Sequence, residues 1–167
     1  MKKIVLVRHA KAIDRSEEPD DFNRSLVKKG QKQSKLISTK LLEKKLIQSP
    51  LLLISSPANR ALETAEFFAE TISFPKDNIQ KEDFLYDYFS LEQLLSCIHK
   101  IDDKYSDVLF FGHNPAFSDM AFKLLQSFYE SMPKGAAVGI SFEIKAWNQV
   151  EPKKGELAFY EYPKKYN

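Results

Sequence analysis

Apolar positions along the chain fall into two kinds of run. Ile4–Val7 reads IVLV, Leu51–Ser56 reads LLLISS, and Asp107–His113 reads DVLFFGH. Short uninterrupted runs of this kind predict strands buried on both faces. Between them apolar residues recur at helical spacing. Leu36, Ile37, Leu41, Leu42 and Leu46 predict a first helix over roughly 26–46. Ala61, Ala65, Phe68 and Ile72 predict a second one after SSPANR, with Ser56 as N-cap and Pro57 in the first helical position. A third helix is expected near 91–101 and a fourth near 117–128. Strands alternating with helices predict an α/β fold, a three-layer α/β/α arrangement on a mostly parallel central sheet. The last part changes character. VGISFEIKAW and GELAFYEYP are rich in β-branched and aromatic residues and flank NQVEPKKG, which predicts an antiparallel C-terminal hairpin added to that sheet.

Composition narrows the picture without changing it. The 167 residues, 43% hydrophobic and 29% charged, fit one globular domain spanning 1–167, with no repeat or linker. A net charge of +2, from 25 basic and 23 acidic side chains, is too balanced to point to nucleic acid or a membrane surface as partner. No apolar run approaches the roughly 18–20 residues of a membrane span. The single cysteine, Cys97, allows neither an internal disulfide nor a cysteine metal cluster. A cytoplasmic setting is the simplest reading.

The chemistry lies where strands end. Arg8 and His9 follow the first run. SSPANR follows the second and puts Arg60 in the first turn of a helix. Gly112, His113, Asn114 and Pro115 follow the third and open another helix. If these strands are parallel neighbours, two His and two Arg converge at the sheet edge where ligands bind in open α/β folds, together with helix N-termini. The polar, acidic stretch AIDRSEEPDDFNRS borders the same edge. Two guanidinium forks match a tetrahedral oxyanion such as phosphate. A neutral His can attack phosphorus and form a covalent intermediate, and fixed cations spread the phosphoryl charge without any metal or other cofactor. An isolated RH or GH at a strand end is ordinarily a surface residue or a turn. The joint occurrence of all four at equivalent junctions is what carries the reading.

LVRHAKA, FNRSLVKKGQKQ, LLLISSPANRALETAEFF and LFFGHNPAFSDM, in this order and spacing, resemble the histidine phosphatase superfamily. The nearest likeness is to its small SixA-type phosphohistidine phosphatase branch, with a phosphoglycerate mutase-like fold. The resemblance runs from Lys3 to about Met120 and includes the closing hairpin. It implies that His9 is the phosphorylated nucleophile. Arg8, Arg60 and His113 match the rest of the phosphate pocket. Arg24 matches a basic position bordering it, and Asn114 belongs to the GHNP form of the small branch. Two departures stand out. The family's R-P-L-T reads Arg24-Ser25-Leu26-Val27 here, so the Thr cap is missing and Ser25 is the candidate to replace it. Where larger members carry a catalytic Glu, this chain reads Leu85-Tyr86-Asp87, which makes Asp87 the candidate general acid, with Glu82 and Asp83 as nearby substitutes.

An alkoxide leaving group needs a proton donor, whereas the P–N bond of phosphohistidine is labile. A weak or absent acid therefore favours a phosphorylated protein as substrate. The alternatives are a small phosphomonoester with Asp87 as acid, or a phosphoprotein-binding module without turnover. A mutase fits less well, since nothing in the chain is marked to keep a phosphorylated intermediate from water. Other conspicuous residues read as structural. His99 and Cys97 sit in an amphipathic helix. Phe84, Tyr86, Tyr88 and Phe89 read as core, with one or two walling the pocket. Lys28–Lys29, Lys44–Lys45 and Lys164–Lys165 read as solvated faces. Lys11 lies near enough to His9 to assist phosphate capture.

Overall fold

The structure is a computed structural model that describes residues 1–167. Six strands form one sheet in the order β3-β2-β4-β1-β5-β6. The strands are β1 (Lys2–Arg8), β2 (Leu51–Ser55), β3 (Gln80–Lys81), β4 (Asp107–Gly112), β5 (Ala137–Phe142) and β6 (Glu156–Glu161). β1 to β4 run parallel, and β5 and β6 add an antiparallel hairpin beside β1. Four helices cover the sheet: α1 (Lys28–Glu43), α2 (Asn59–Thr71), α3 (Leu91–Ile98) and α4 (Ala116–Leu124).

The uninterrupted apolar runs exist because the central strands are covered on both sides. Ile4, Leu6, Leu52, Ile54, Val108 and Phe110 point to one face, where they pack with Leu94 and Ile98 of α3 and Phe117 and Met120 of α4. Val5, Val7, Leu53, Leu109 and Phe111 point to the other, against Ile37 and Leu41 of α1 and Ala65 and Phe68 of α2. All of these apolar side chains are buried. The layers are therefore α/β/α, with one helix pair on each face.

Helix starts differ from expectation. α1 begins at Lys28 behind Val27, which offers no side-chain cap. Ser25 does not replace the missing Thr; its carbonyl accepts from Ile13 N–H, inside the loop. α2 begins at Asn59 rather than at Pro57, with Ala58 at its N-cap position. Ser56 Oγ instead accepts the Ala58 N–H at 3.3 Å, a turn that leads into the helix. Not every lysine pair is a solvated face either. Lys44 and Lys165 both reach Glu161 Oε1 at 3.2 Å and tie α1 and the C-terminal turn to β6.

Candidate active site

Strand register brings the site together. Arg8 of β1 lies opposite Gly112 of β4, and Ser55 of β2 opposite Phe111. The ladder continues one step further, with His9 N–H donating to Gly112 O and Ser56 N–H to Phe111 O, both at 2.9 Å. His9, His113 and Ser56 therefore leave adjacent parallel strands at one level. The His9 and His113 ring centres are 5.2 Å apart. Gly112 lets α4 pack closely beneath this strand end, since a Cβ there would lie 2.5 Å from the buried Phe117 ring.

His9 is 6% exposed, and its Nδ1 lies 2.8 Å from its neighbour's carbonyl, Ala10 O. A carbonyl oxygen only accepts, so Nδ1 carries the ring proton and the Nε2 lone pair is free. Ala10 N–H donates to Thr64 Oγ1, whose hydroxyl donates to Arg60 O, so α2 fixes the main chain beside His9. His113, 8% exposed, meets Ser56 Oγ through Nε2 at 2.8 Å, while its buried Nδ1 has no partner. Ser56 is thus both a turn residue and the fixed neighbour of the second imidazole.

Arg60, 5% exposed, donates through Nη1 to Asp21 O at 2.6 Å and through Nη2 to Asp21 Oδ2 at 3.0 Å. Asp21 Oδ1 accepts from Arg24 Nη1 at 2.9 Å, and Oδ2 also accepts from the Tyr86 hydroxyl at 3.0 Å. Arg24 Nε donates to Ile13 O, which anchors it within the loop after β1. Arg8 donates through Nη1 to Met132 O at 2.8 Å. The Nε atoms of Arg8 and Arg60 are buried without partners in the protein. Three buried nitrogens, Arg8 Nε, Arg60 Nε and His113 Nδ1, are thereby unpaired within the protein.

Electrostatics follow from burial among cations. Desolvation, then the nearby positive charges, hold His9 well below the usual histidine value. His113 is pushed down to about 3, again by burial first and by Arg60 next. Both rings are neutral at pH 7. Arg24, Tyr86 and Arg60 keep the Asp21 carboxyl well below the usual carboxylate range, against the opposing effect of burial.

A family profile for the histidine phosphatase superfamily, branch 1, matches residues 4–88, a stretch that carries Arg8, His9, Arg24 and Arg60. The chain belongs to the histidine phosphatase superfamily. His113 lies beyond the matched stretch and enters the site through the β1–β4 pairing. Solved structures share this superfamily member's fold over nearly its whole length. SixA from Nakamurella multipartitia is 20% identical, with a TM-score of 0.79 over 97% of this chain and 96% of that one. The protein histidine phosphatase SixA in complex with tungstate is 17% identical, with a TM-score of 0.80 over 99% of each chain. A mycobacterial glucosyl-3-phosphoglycerate phosphatase in complex with VO3 is 13% identical, with a TM-score of 0.70 over 98% of this chain and 100% of that one. At these identities the likeness is one of fold. No curated protein matches the chain.

The remaining candidates of this histidine phosphatase are placed less centrally. Asp87 is exposed and makes no hydrogen bond; its neighbour Tyr86 faces the site instead, its ring 5.9 Å from that of His113. Glu82 lines a separate groove with Phe84 and Cys97, and Asp83 is exposed. Asn114 is saturated by protein partners, donating to Met132 O at 3.0 Å and accepting from the Ser118 hydroxyl at 3.1 Å. It holds the same loop that receives Arg8. Lys11 is exposed, and its backbone rather than its ammonium is engaged, with Gln33 and Val27. His99 bonds Val150 O, a structural contact. Two contributors went unread in the sequence: Asp21 and the Tyr86 hydroxyl.

Proposed function

We propose that this phosphatase removes phosphoryl groups from phosphohistidine in proteins, by way of a phosphohistidine formed on His9, with residues 1–167 acting as one catalytic domain. The observation that carries the reading is the His9 Nδ1–Ala10 O contact, because it leaves Nε2 as a lone pair at the mouth of a cationic site. Nε2 attacks phosphorus in line, and the new N–P bond forms as the substrate's N–P bond breaks; the substrate ring, protonated on its other nitrogen, takes the bonding electron pair and departs as neutral imidazole. Water then displaces His9 and releases inorganic phosphate. Arg8 and Arg60 hold the phosphoryl oxygens, with Arg24 at the rim and His113 as a neutral donor. Ser56 Oγ accepts from Ala58 N–H, so its own proton is available to His113 Nε2; the His113 ring proton then sits on Nδ1, which has no partner within the chain. The side chains themselves supply the positive charge, and no metal is needed in this scheme. The exposed position of Asp87 favours a good leaving group over an alkoxide.

Incubation with a labelled phosphodonor, followed by separate acid and alkaline treatment, tests the intermediate. Acid-labile, base-stable label on wild type and none on His9→Ala is expected. The same substitution should lower turnover by about 10⁴-fold or more. Tight phosphate binding without label would mark a binding module instead. Turnover of sugar phosphates in preference to a phosphohistidine peptide, lost in Asp87→Asn, would restore the small-molecule alternative.

A further inference from the structure

Arg8 lines a second concavity. A cleft of about 590 Å³ opens beside the phosphoryl site, between α4 and the segment 128–131. Asp119 and Phe122 of α4 face Tyr129 and Glu130 across it. Phe122 is 41% exposed and Tyr129 80%, in a protein that buries most of its phenylalanines, and their ring centres stand 5.6 Å apart. The Tyr88 hydroxyl donates to Asp119 Oδ2 at 2.8 Å. Neither Asp119 nor Glu130 is in an ion pair within the chain. Lys153 already sits 3.7 Å from the Phe122 ring centre, so this wall accepts a cation on an aromatic face.

The charged groups that line the cleft are Arg8, which borders the phosphoryl site, and the carboxylates of Asp119 and Glu130 further along it. A phosphoryl group bound to Arg8 brings whatever is attached to it within reach of the cleft.

We propose that the cleft binds the polypeptide segment flanking the phosphorylated residue and selects a lysine or arginine in it. The alkyl stem of such a side chain covers the exposed Tyr129 ring, and its cationic head meets Asp119 and Glu130. This rests on the reading of the protein as a phosphohistidine phosphatase and adds a sequence preference to it.

Three substrates separate the elements of the proposal: phosphoramidate, which is too small to reach the cleft, and two phosphohistidine peptides that differ only in lysine or glutamate beside the modified residue. The lysine peptide is expected to show roughly tenfold higher kcat/KM, mainly through KM. In the Asp119→Asn, Glu130→Gln double variant that ratio should fall to about 1, and Tyr129→Ala should raise KM for both peptides. Phosphoramidate turnover should stay near wild type in all of these. Equal turnover of the two peptides by wild type overturns the proposal. So does a loss of phosphoramidate turnover in the variants, which would mark a structural role. Hydrolysis of phosphoramidate with neither peptide accepted also ends it, while leaving the phosphoramidase chemistry intact. With p-nitrophenyl phosphate added as a fourth substrate, its hydrolysis alone removes the phosphohistidine reading itself, and the cleft's assignment with it.

Discussion

Asp21 is a carboxylate held among guanidinium groups, in contact with Arg60, Arg24 and Tyr86, with Arg15 at 3.3 Å. It sets the direction of two cations that the sequence alone placed only by position. Asp21→Asn keeps the shape but removes the charge, so Arg60 and Arg24, left on the main-chain carbonyls of Asp21 and Ile13, are held less firmly. kcat/KM should fall by about 10–100-fold, mostly in kcat, since a misplaced positioning group costs rate before binding. Steady-state kinetics on phosphoramidate measure this. An improved KM at unchanged kcat would instead mean that the carboxylate competes with substrate for Arg60. Asp21 was illegible in the sequence because AIDRSEEPDDFNRS offers several carboxylates, and nothing in their order says which one turns inward. The short 3-10 turn Asp21–Asn23, capped by the Asp20 side chain, makes that choice. His9 and Arg8 were legible for the opposite reason: a strand end in an open parallel sheet has one place to go.

Among the elements, the strands could be read and the loop after β1 could not. Runs buried on both faces announce themselves, whereas 9–27 is held by scattered contacts. Ala12 bridges Leu26, Leu26 N–H donates to Glu63 Oε2 of α2, and Val27 N–H donates to Lys11 O. None of these has a local signature. α1 starts without a capping side chain and is seated instead by packing, with Gly30 lying against the Lys11 main chain. A Cβ at Gly30 would stand 2.0 Å from Lys11 O, and backbone cannot swing aside as a side-chain tip can. Gly30→Ala should therefore destabilise the fold by about 1–3 kcal/mol. It should also lower kcat, because Lys11 lies two residues from His9. Urea denaturation and initial rates on one preparation test both, and an unchanged midpoint would show that the loop yields freely.

For the whole molecule, the buried imidazoles set a pH response. His113 has a value of about 3 in the folded state, against about 6.5 in an unfolded chain, and His9 is shifted the same way. Between those values the unfolded state binds more protons, so stability rises with pH up to about 6.5 and is lost as pH falls below it. The His113 ring should cost on the order of 1–2 kcal/mol at pH 5 relative to pH 7, and His9 acts in the same direction. Asn has no titrating group, so His113→Asn should flatten the change in urea midpoint between those two pH values. An equally steep change in that variant would assign the response elsewhere. Activity has a matching expectation. Since His9 stays neutral, kcat/KM on phosphoramidate should not lose a nucleophile near pH 6.5.

Because β1 and β4 are hydrogen-bonded neighbours, the spacing of the two imidazoles is inherited from the sheet. Pairing of β1 with β4 is enough to bring the two rings together at the sheet edge. The surrounding rim is then free to diverge, and new leaving groups can be accommodated by redrawing its outline while the reaction centre beneath is left as it stands.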